Sequence, residues 1–170
     1  MAYQLHVLVL NHTSSPALIE QSCWHENPTA WTTTTANTDT GGTLTAYTLS
    51  MAASGSSGML RFRTESGAFF AVAIGVHNFK VWSDVQVLPD DKPLSYLHGR
   101  YYDQNDELNK RLWAQSSVAA GVLGSESHEV KVGFYKAEGH LLAGYLAYFP
   151  QETGQEASTF GGGIRSVILG

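Results

Sequence analysis

The sequence predicts a mainly β fold in one domain of residues 1–170, with two short helices as a connector between sheets. Charged residues make up only 15% of the chain while glycine, serine and threonine are abundant, and this composition suits strands and turns better than helices. Apolar and polar residues alternate in many short segments, as in half-buried strands. At 170 residues, the chain is long enough for one domain that buries about two-thirds of its unfolded surface.

Composition and charge argue against several classes of protein. The net charge is -5 and there is no basic run, so neither nucleic acid nor an anionic membrane surface is expected as the main partner. The start of the chain lacks a positive segment and a cleavage site, so we expect a cytoplasmic protein. The seven histidines show no metal-binding spacing, and neither a metal nor a cofactor is expected. Cys23 is the only cysteine, and we expect it to be a small hydrophobic core residue rather than a nucleophile.

Strands are predicted in the first half of the chain wherever polar and apolar residues alternate, namely at residues 4–10, 18–24, 44–51 and 59–63. Residues 69–76 are almost all apolar, as in a strand that is buried on both faces. Residues 27–42 are rich in threonine, asparagine and glycine and have no period that would bury one face, so we predict a long surface loop. A threonine-rich edge strand at residues 31–35 is the alternative.

A turn at residues 65–67 is predicted to join two of these strands into an antiparallel hairpin. In the first strand of the hairpin, apolar side chains are expected to face the core while Arg61 and Arg63 face solvent. Antiparallel pairing places the beginning of the first strand beside the end of the second. The segment 75–79 is therefore expected close to Ser54.

Apolar residues recur at helical spacing after the hairpin, which predicts two short helices. The apolar faces of these helices are formed by Leu94, Leu97, Tyr101, Leu108 and Leu112. Asp103 or Asn105 is expected to cap the second helix, and Glu107 is expected to pair with Arg111.

The last part of the chain is predicted to be β-rich. A short strand is expected at residues 118–123, followed by a hairpin of strands 129–136 and 141–149. The tail at residues 150–170 begins like a linker, and residues 164–169 could form a further strand. We leave open whether this tail is an edge strand, a subunit contact or disordered.

The strongest candidate for a binding site is formed by two segments that the hairpin brings together. The loop 54–58 offers hydroxyls and unshielded backbone N–H groups, and His77, Asn78 and Phe79 add rings and a carboxamide. A sugar requires this mixture, because its hydroxyls donate and accept hydrogen bonds while the C–H face of its ring packs on an aromatic surface. The alternative is structural, with Phe79 and Trp82 as core aromatics and Asn78 closing a turn; for Trp82 we favour the core.

Three motifs of this chain resemble the fungal fruit-body lectin family. They are MAASGSSGMLRF (51–62), GVHNFKVWSD (75–84) and RYYDQ (100–104). In the family, the first two read S-G-x-S-G-x-L-R-F and G-V-H-N-Y-K-x-W-x-D. The similarity extends over residues 3–148 and is strongest in the central stretch. It implies a two-sheet β-sandwich of the actinoporin-like type, in which a helix-loop-helix connector joins the sheets.

The resemblance also implies a site for the disaccharide Galβ1-3GalNAc. The residues at the matching positions are Ser54, Gly55, His77, Asn78 and Phe79. Phe79 replaces the usual tyrosine of the family, which keeps the ring and loses a hydroxyl. A small residue after the early tryptophan contributes in the family, and Asn27 or a neighbour stands in that region here.

A second site of the family binds terminal N-acetylglucosamine through an aspartate, an aliphatic residue, a threonine, an arginine and a tyrosine. Asp84 and Val85 match the first two positions. An ungapped count gives differing residues at the other three, namely Val87, Glu107 and Val118. A gap would bring Arg111 to the arginine position. We expect this second site to be altered or lost, and a cap or turn role for Asp84 is the alternative.

The leading functional hypothesis is a non-enzymatic lectin for Gal/GalNAc-type glycans and glycoproteins. Because single-site sugar binding is weak, we expect a homo-oligomer, the tetramer of the family, that meets membranes only through glycoconjugates. The resemblance also implies a defence role. The alternative is a membrane-acting, pore-forming protein, which requires a detachable amphipathic N-terminal helix. A hydrolase using His77 with Asp84 lacks a nucleophile signature and is not favoured.

Overall fold

The computed structural model describes residues 2–11, 16–24, 30–37, 43–88, 92–124 and 127–150. Within these residues the chain forms β1 (Tyr3–Asn11), β2 (Ala17–Trp24), β3 (Ala30–Asn37), β4 (Thr43–Met51), β5 (Ser56–Arg63), β6 (Phe69–His77), β7 (Lys80–Leu88), α1 (Leu94–Arg100), α2 (Glu107–Ala114), β8 (Val118–Leu123), β9 (His128–Glu138) and β10 (Leu141–Pro150). The predictions for Asn27 and for residues 151–170 lie outside the described residues.

The strands form two sheets that pack face to face. One sheet has the strand order β3-β4-β1-β10-β9-β8, and the other has the order β2-β5-β6-β7. Each pairing between described strands is antiparallel except that of β1 with β10. The helices α1 and α2 follow β7, at the edge of the four-stranded sheet, and precede β8, at the edge of the six-stranded sheet. The predicted two-sheet fold with a helix-loop-helix connector is confirmed.

The main hydrophobic core lies between the two sheets. Leu5, Val7 and Val9 enter it from β1, because alternate side chains of a strand point to the same face. From the opposite sheet, the rings of Phe62 and Phe70 stack with centroids 5.2 Å apart. Each fully buried side chain of this size contributes roughly 1.5–3 kcal/mol relative to its exposed state. This core holds both sheets, and therefore the loops at their ends, in fixed positions.

A second core lies on the other face of the four-stranded sheet, beneath the helices. Its members are Met59, Ala71, Ala73, Trp82, Leu94, Leu97, Tyr101, Leu108 and Leu112. Trp82 is fully buried, so the prediction that it is a core residue is confirmed, and the apolar faces predicted for the two helices are buried as expected. Because β6 is covered on both sides, nearly all of its residues are buried, as its apolar run predicted.

Arg61 is buried, and the prediction that it faces solvent is wrong. The start of α1 covers the polar face of β5, where the Arg61 guanidinium donates to the Glu20 carboxylate at 2.9 Å and to the Lys92 carbonyl oxygen at 2.8 Å. The second carboxylate oxygen of Glu20 accepts the Leu94 backbone N–H at 2.7 Å. This ion pair therefore ties β2 and β5 to the beginning of α1. Arg63 is exposed, as predicted.

The N-cap of α2 is Asp106, rather than Asp103 or Asn105 as predicted. Its carboxylate accepts the Leu108 backbone N–H at 2.9 Å and a hydrogen bond from the Arg100 guanidinium at 2.7 Å. The hydrogen bond from Arg100, followed by that from the Leu108 backbone, lowers the pKa of Asp106. Because Arg100 belongs to α1, a contact between the two helices favours Asp106 as the N-cap. The sequence pattern around the start of α2 does not reveal this contact.

The predicted ion pair between Glu107 and Arg111 does not form. Glu107 lies 2.6 Å from the ammonium of Lys110, while the Arg111 guanidinium lies 3.2 Å from a carboxylate oxygen of Asp84. Asp84 is buried on the sheet face beneath α2, where water screens an opposite charge less than it does on the exposed side of the helix. Arg111 therefore turns toward the sheet.

Cys23 is exposed, and the prediction that it is a core residue is wrong. It lies on β2, an edge strand of the four-stranded sheet, whose residues alternate between exposed and half-buried positions along its whole length. Cys23 occupies an exposed position of that alternation. Position within the strand, rather than residue type, sets its burial.

Two other strands differ from the main sequence prediction. The threonine-rich segment forms β3 at the edge of the six-stranded sheet, so the edge-strand alternative is confirmed. Residues 80–88 form β7, which pairs with β6 along its full length, although the sequence pattern predicted no strand there. Polar and aromatic residues at the beginning of β7 obscured its alternation, because Trp82 faces the helices rather than the main core.

Candidate functional site

The turn between β6 and β7 has an unusual backbone. His77 pairs with Lys80 at the end of the hairpin, which leaves Asn78 and Phe79 as the two turn residues. Their φ angles are +47° and +62°, the left-handed values that a type I′ turn requires at both positions. Asparagine tolerates this region, whereas a phenylalanine there is strained. Strain of this kind concentrates at binding sites, and the Phe79 side chain is 76% exposed.

Ser54 joins the small-residue loop to this turn. Its hydroxyl oxygen accepts a hydrogen bond from the Phe79 backbone N–H at 2.8 Å. Next to it, the Gly55 backbone N–H donates to the Val76 carbonyl oxygen at 2.7 Å. Gly55 has a φ of +92°, and a Cβ there would meet nothing within 4 Å, so the open space above it is accessible to a ligand. The two segments that the sequence predicted to meet are in direct contact.

His77 forms an inner wall of the site. Its ring packs perpendicular to that of Trp113, with centroids 4.5 Å apart, and lies 6.3 Å from that of Tyr102. Among the described residues, neither ring nitrogen of His77 has a hydrogen-bond partner, and both are shielded from solvent. Burial lowers the pKa of His77, so the imidazole is neutral at pH 7. Its backbone carbonyl accepts a hydrogen bond from the Gln115 side chain at 2.8 Å.

A cleft of about 330 Å³ adjoins the turn. It is lined by Tyr3, Val76, Phe79, Lys80, Val81, Gln115, Ala137, Gly139 and Leu142. A larger cleft of about 600 Å³, at the ends of β1, β4 and β10, is lined by none of the five predicted sugar-binding residues. Of the five predicted residues, Phe79 lines the smaller cleft, and the Ser54 hydroxyl is bonded to the backbone of Phe79. We therefore place the candidate site at the turn and the smaller cleft beside it.

Behind the loop 54–58, buried hydrogen bonds converge on His98 of α1. Its two ring nitrogens each lie 2.7 Å from a hydroxyl, that of Ser22 at Nδ1 and that of Ser57 at Nε2. The Ser57 hydroxyl also lies 2.7 Å from the hydroxyl of Tyr102. Burial lowers the pKa of His98 to about 3, so the ring is neutral and carries one donor and one acceptor nitrogen. These bonds anchor the loop to the helix.

The predicted second site is occupied by internal hydrogen bonds. One carboxylate oxygen of Asp84 accepts the Val85 backbone N–H at 2.9 Å and the Arg111 guanidinium at 3.2 Å. The other accepts the Gln86 amide and the Tyr101 hydroxyl, both at 2.7 Å. Burial, and then the charge of Asp84, raises the pKa of Tyr101, so its hydroxyl remains a donor. The structure therefore brings Arg111 to Asp84, as the gapped alignment proposed.

Val85 does not share a surface with the Asp84 carboxylate. Its side chain lies in the main core, because neighbouring residues of β7 point to opposite faces of the sheet. The three residues at the remaining positions, Val87, Glu107 and Val118, are exposed. Of the residues predicted for the second site, only the side chains of Asp84 and Arg111 come together.

The five predicted residues of the first site form a surface suited to a neutral, polar ligand. An exposed aromatic ring and an exposed carboxamide stand beside a loop whose backbone is open to close approach. Among the residues that the structure describes, no three histidine, cysteine, aspartate or glutamate side chains are grouped so as to hold a metal ion. Neither described helix has the length and apolar character needed to cross a membrane.

Most of the chain matches the sequence model of one protein family. The sequence model of the fungal fruit body lectins matches residues 1–146. The chain belongs to the fungal fruit body lectin family. A lectin from Boletus edulis is 38% identical over 66 residues, which make up 38% of this chain and 46% of that protein. The matched segment thus spans less than half the length of this relative.

Solved structures of another fungal lectin share the fold of this family member. The wild-type lectin of Xerocomus chrysenteron superimposes with a TM-score of 0.73 at 27% identity, over 88% of this chain and 100% of that chain. A methionine-substituted variant of it gives a TM-score of 0.72 at 29% identity, over 88% and 99% of the two chains. The two-sheet arrangement with its helical connector is therefore common to this chain and to a solved lectin.

Three residues that surround the turn were not identified from the sequence. The rings of Trp113 and Tyr102 both lie near that of His77, and the Gln115 side chain donates a hydrogen bond to the His77 carbonyl oxygen. The sequence did contain one indication of this role for Trp113. It is a large apolar residue that lies outside the apolar face formed by Leu108 and Leu112 of α2. Gln115 has a φ of +50° as the C-cap of α2, and no local pattern foretells that geometry.

Proposed function

We propose that this chain is a non-enzymatic lectin that binds Galβ1-3GalNAc-type glycans through Ser54, Gly55, His77, Asn78 and Phe79. The observation that carries the proposal is the hydrogen bond from the Phe79 backbone to the Ser54 hydroxyl, at 2.8 Å. It unites the two segments whose residues match the family's disaccharide site. Family membership over residues 1–146 supports carbohydrate binding in general.

Four of the five residues have distinct parts in contacting the sugar, while Ser54 holds the turn in place. The Phe79 ring, which is largely exposed, packs against the C–H face of a sugar, and the exposed Asn78 carboxamide both donates to and accepts from its hydroxyls. Gly55 leaves room for the sugar to approach the backbone. The neutral ring of His77 supplies a wall, since both of its nitrogens are shielded.

We also propose that the second sugar site of the family is lost here. The Asp84 carboxylate accepts hydrogen bonds from four residues of this chain, and Tyr101, one of these donors, is fully buried. A sugar hydroxyl would have to displace one of these donors and leave it without a partner, at a cost of about 1–3 kcal/mol. Asp84 instead fastens α2 to the sheet.

Single-site sugar binding is weak, because each new hydrogen bond replaces one with water. We therefore propose that the chain acts as a homo-oligomer, the tetramer that the resemblance implies, and gains strength by binding several glycans at once. A cytoplasmic store with a defence role against glycan-bearing targets is part of this proposal. We expect the protein to agglutinate cells and the free disaccharide to inhibit this agglutination, which would support binding of several glycans at once.

The pore-forming alternative receives no support from the described residues. It requires an N-terminal helix that detaches from the sheet, whereas residues 3–11 form β1, which is paired with β4 on one side and β10 on the other. Detaching this strand would open the centre of the six-stranded sheet. Release of dye from liposomes without glycolipids would revive the alternative.

Titration calorimetry with Galβ1-3GalNAc tests the proposed site. Asn78→Ala and Phe79→Ala each remove an exposed contact and are expected to weaken binding by about 2- to 12-fold or more, the equivalent of 0.5–1.5 kcal/mol. Asn105→Ala, which removes an exposed asparagine at the connector, is the matched control and leaves affinity unchanged. Failure of the unmodified protein to bind any Gal/GalNAc glycan on an array contradicts the proposal.

A further inference from the structure

Four aromatic residues form a continuous row that begins outside the proposed disaccharide site and runs past it. We call Trp24, Tyr102, His77 and Trp113 the aromatic row. Trp24 stacks on Tyr102 with ring centroids 4.5 Å apart, and the ring centroid of Tyr102 lies 6.3 Å from that of His77. His77 in turn packs against Trp113 at 4.5 Å. Trp113 is thus joined to the site by direct contact with one of its residues.

Trp113 is exposed although a tryptophan side chain has a large apolar surface whose contact with water is unfavourable. Its side chain is 55% exposed, whereas Leu108 and Leu112 of the same helix are buried. Burying an aromatic ring of this size is a large source of binding energy, and exposed aromatic residues beside a cleft are typical of recognition surfaces. The indole contacts the His77 ring at the end of β6, yet more than half of its side chain stays in solvent and is open to a ligand.

The position of Trp113 relative to the turn is fixed. Gln115, two residues further on, ends α2 in a left-handed conformation, and its side chain donates to the His77 carbonyl oxygen at 2.8 Å. The end of the helix is therefore fastened to the end of β6. A ring held rigidly beside a site loses little conformational entropy when a ligand packs on it.

We propose that Trp113 forms an additional sugar subsite, which stacks one further neutral pyranose ring of the glycan held at the turn. The inference rests on the proposed function, since the first two sugars must lie at Ser54, Asn78 and Phe79. The indole surface accepts the C–H face of a pyranose as Phe79 does. Because the Trp113 ring touches that of His77, we place the further pyranose directly next to the disaccharide. The protein then prefers extended or branched glycans over the bare disaccharide.

The test compares two ligand sizes on the same protein. Calorimetry measures binding of methyl Galβ1-3GalNAc and of the same disaccharide extended by one neutral pyranose, either on the galactose or on the 6-hydroxyl of GalNAc. One extended form is expected to bind about 2- to 12-fold more tightly than the disaccharide, the range for one aromatic stacking contact. Trp113→Ala abolishes this difference, and Trp113→Phe, which retains a ring, keeps part of it.

A matched control and an optical measurement separate binding from structural effects. Tyr96→Ala removes an exposed aromatic residue of α1 and leaves the difference between the two ligands intact. Trp113 is the most exposed of the four tryptophans of the chain. Acrylamide quenching of its fluorescence is therefore expected to decrease when the extended glycan binds, and not when the disaccharide binds. If the glycan no longer reduces acrylamide quenching in Trp113→Phe, the reduced quenching in the unmodified protein comes from Trp113.

Three outcomes overturn the inference. Equal affinity of the unmodified protein for the disaccharide and both extended glycans shows that no additional subsite exists. An equal loss of affinity for all ligands in Trp113→Ala shows that the indole only supports His77. Absence of binding to the disaccharide itself refutes the proposed function together with this subsite, whereas the first two outcomes leave the proposed function standing.

Discussion

Ser54 and Phe79 belong to different loops, yet the hydroxyl of Ser54 is the acceptor for the backbone N–H of Phe79, at 2.8 Å. This bond stabilises a turn in which two residues other than glycine hold positive φ angles. The turn would otherwise relax toward a less strained conformation. One hydroxyl therefore maintains the direction in which the Asn78 and Phe79 side chains point.

Replacing Ser54 by alanine is expected to weaken both the turn and glycan binding. The backbone N–H of Phe79 loses its acceptor, which costs about 0.5–1.5 kcal/mol in unfolding free energy and lowers affinity about 2- to 12-fold. Chemical denaturation and calorimetry measure the two effects. Ser95→Ala, an exposed serine of α1, serves as the control. Unchanged affinity in Ser54→Ala would mean that the turn keeps its shape without this bond.

Phe79→Tyr is expected to strengthen glycan binding. The substitution adds the tyrosine hydroxyl that the resemblance implies for this position, on a side chain that is already largely exposed. One additional hydrogen bond raises affinity for Galβ1-3GalNAc by about 2- to 12-fold, and stability changes little because the ring stays in solvent. A weaker complex in calorimetry would show that the phenylalanine is adapted to a different glycan.

Gly75→Ala is expected to destabilise the hairpin that carries the site. A Cβ at Gly75 would lie 2.4 Å from the Ser57 Cβ and 2.5 Å from the Ser56 carbonyl oxygen, so the backbones of β5 and β6 must separate. Overpacking of this kind lowers the unfolding free energy by about 1–3 kcal/mol. Gly124→Ala, where nothing lies within 4 Å of the added carbon, is the control. Similar denaturation midpoints for the two variants would refute the expected clash.

The buried ring of His98 is expected to make stability depend on pH. Its pKa falls from 6.5 in the unfolded chain to about 3 in the folded one, so the unfolded state binds the extra proton between these values. Stability is therefore complete above pH 6.5 and decreases as the pH falls, by about 2 kcal/mol at pH 5. Denaturation of the unmodified protein across this range measures the loss.

His98→Gln is the control for this pH dependence. The variant cannot gain a proton, so its stability is lower at pH 7.5 but changes about 2 kcal/mol less on going to pH 5. The pKa of His77 is also lowered by burial, and its smaller contribution persists in both proteins. Identical pH profiles for the two proteins would show that His98 accepts a proton without unfolding the domain.

Asp84 and Arg111 are expected to contribute unequally to stability although they form one ion pair. Asp84→Ala leaves the buried Tyr101 hydroxyl without its acceptor and costs about 1–3 kcal/mol. Arg111→Ala removes a guanidinium whose side chain is 55% exposed, and the loss is below about 1 kcal/mol because water screens the pair. Equal losses in chemical denaturation would contradict the view that Asp84 is an internal fastening point.

Local pattern was sufficient to predict most of the strands and the meeting of the two site segments. Alternation in β5 and the apolar run of β6 fix the hairpin, and antiparallel pairing then places Ser54 beside the end of β6. The positions of Asn78 and Phe79 follow from the same pairing. This part of the candidate site is formed by residues that the hairpin register brings together. It can therefore be predicted from a single sequence.

Contacts between elements that lie far apart in the sequence could not be predicted in this way. Arg61 has the pattern of a solvent-facing residue, and only the start of α1 buries it beside Glu20. Arg111 has a glutamate one helical turn before it, yet it pairs with a carboxylate in β7. The wall that Trp113 and Tyr102 provide for His77 likewise exists only after the helices pack on the sheet.

The parallel pairing of β1 with β10 has a consequence for how the protein is made. Gln4 is aligned with Leu141, so β1 gains this neighbour only after the long segment between the two strands has left the ribosome. Contacts between such distant segments slow folding, and an unpaired central strand is prone to associate with other chains in the meantime. Until β10 is made, β1 can pair only with β4, its other neighbour in the sheet, so we expect closure of the β1–β10 pair to be a late step in the folding of this lectin.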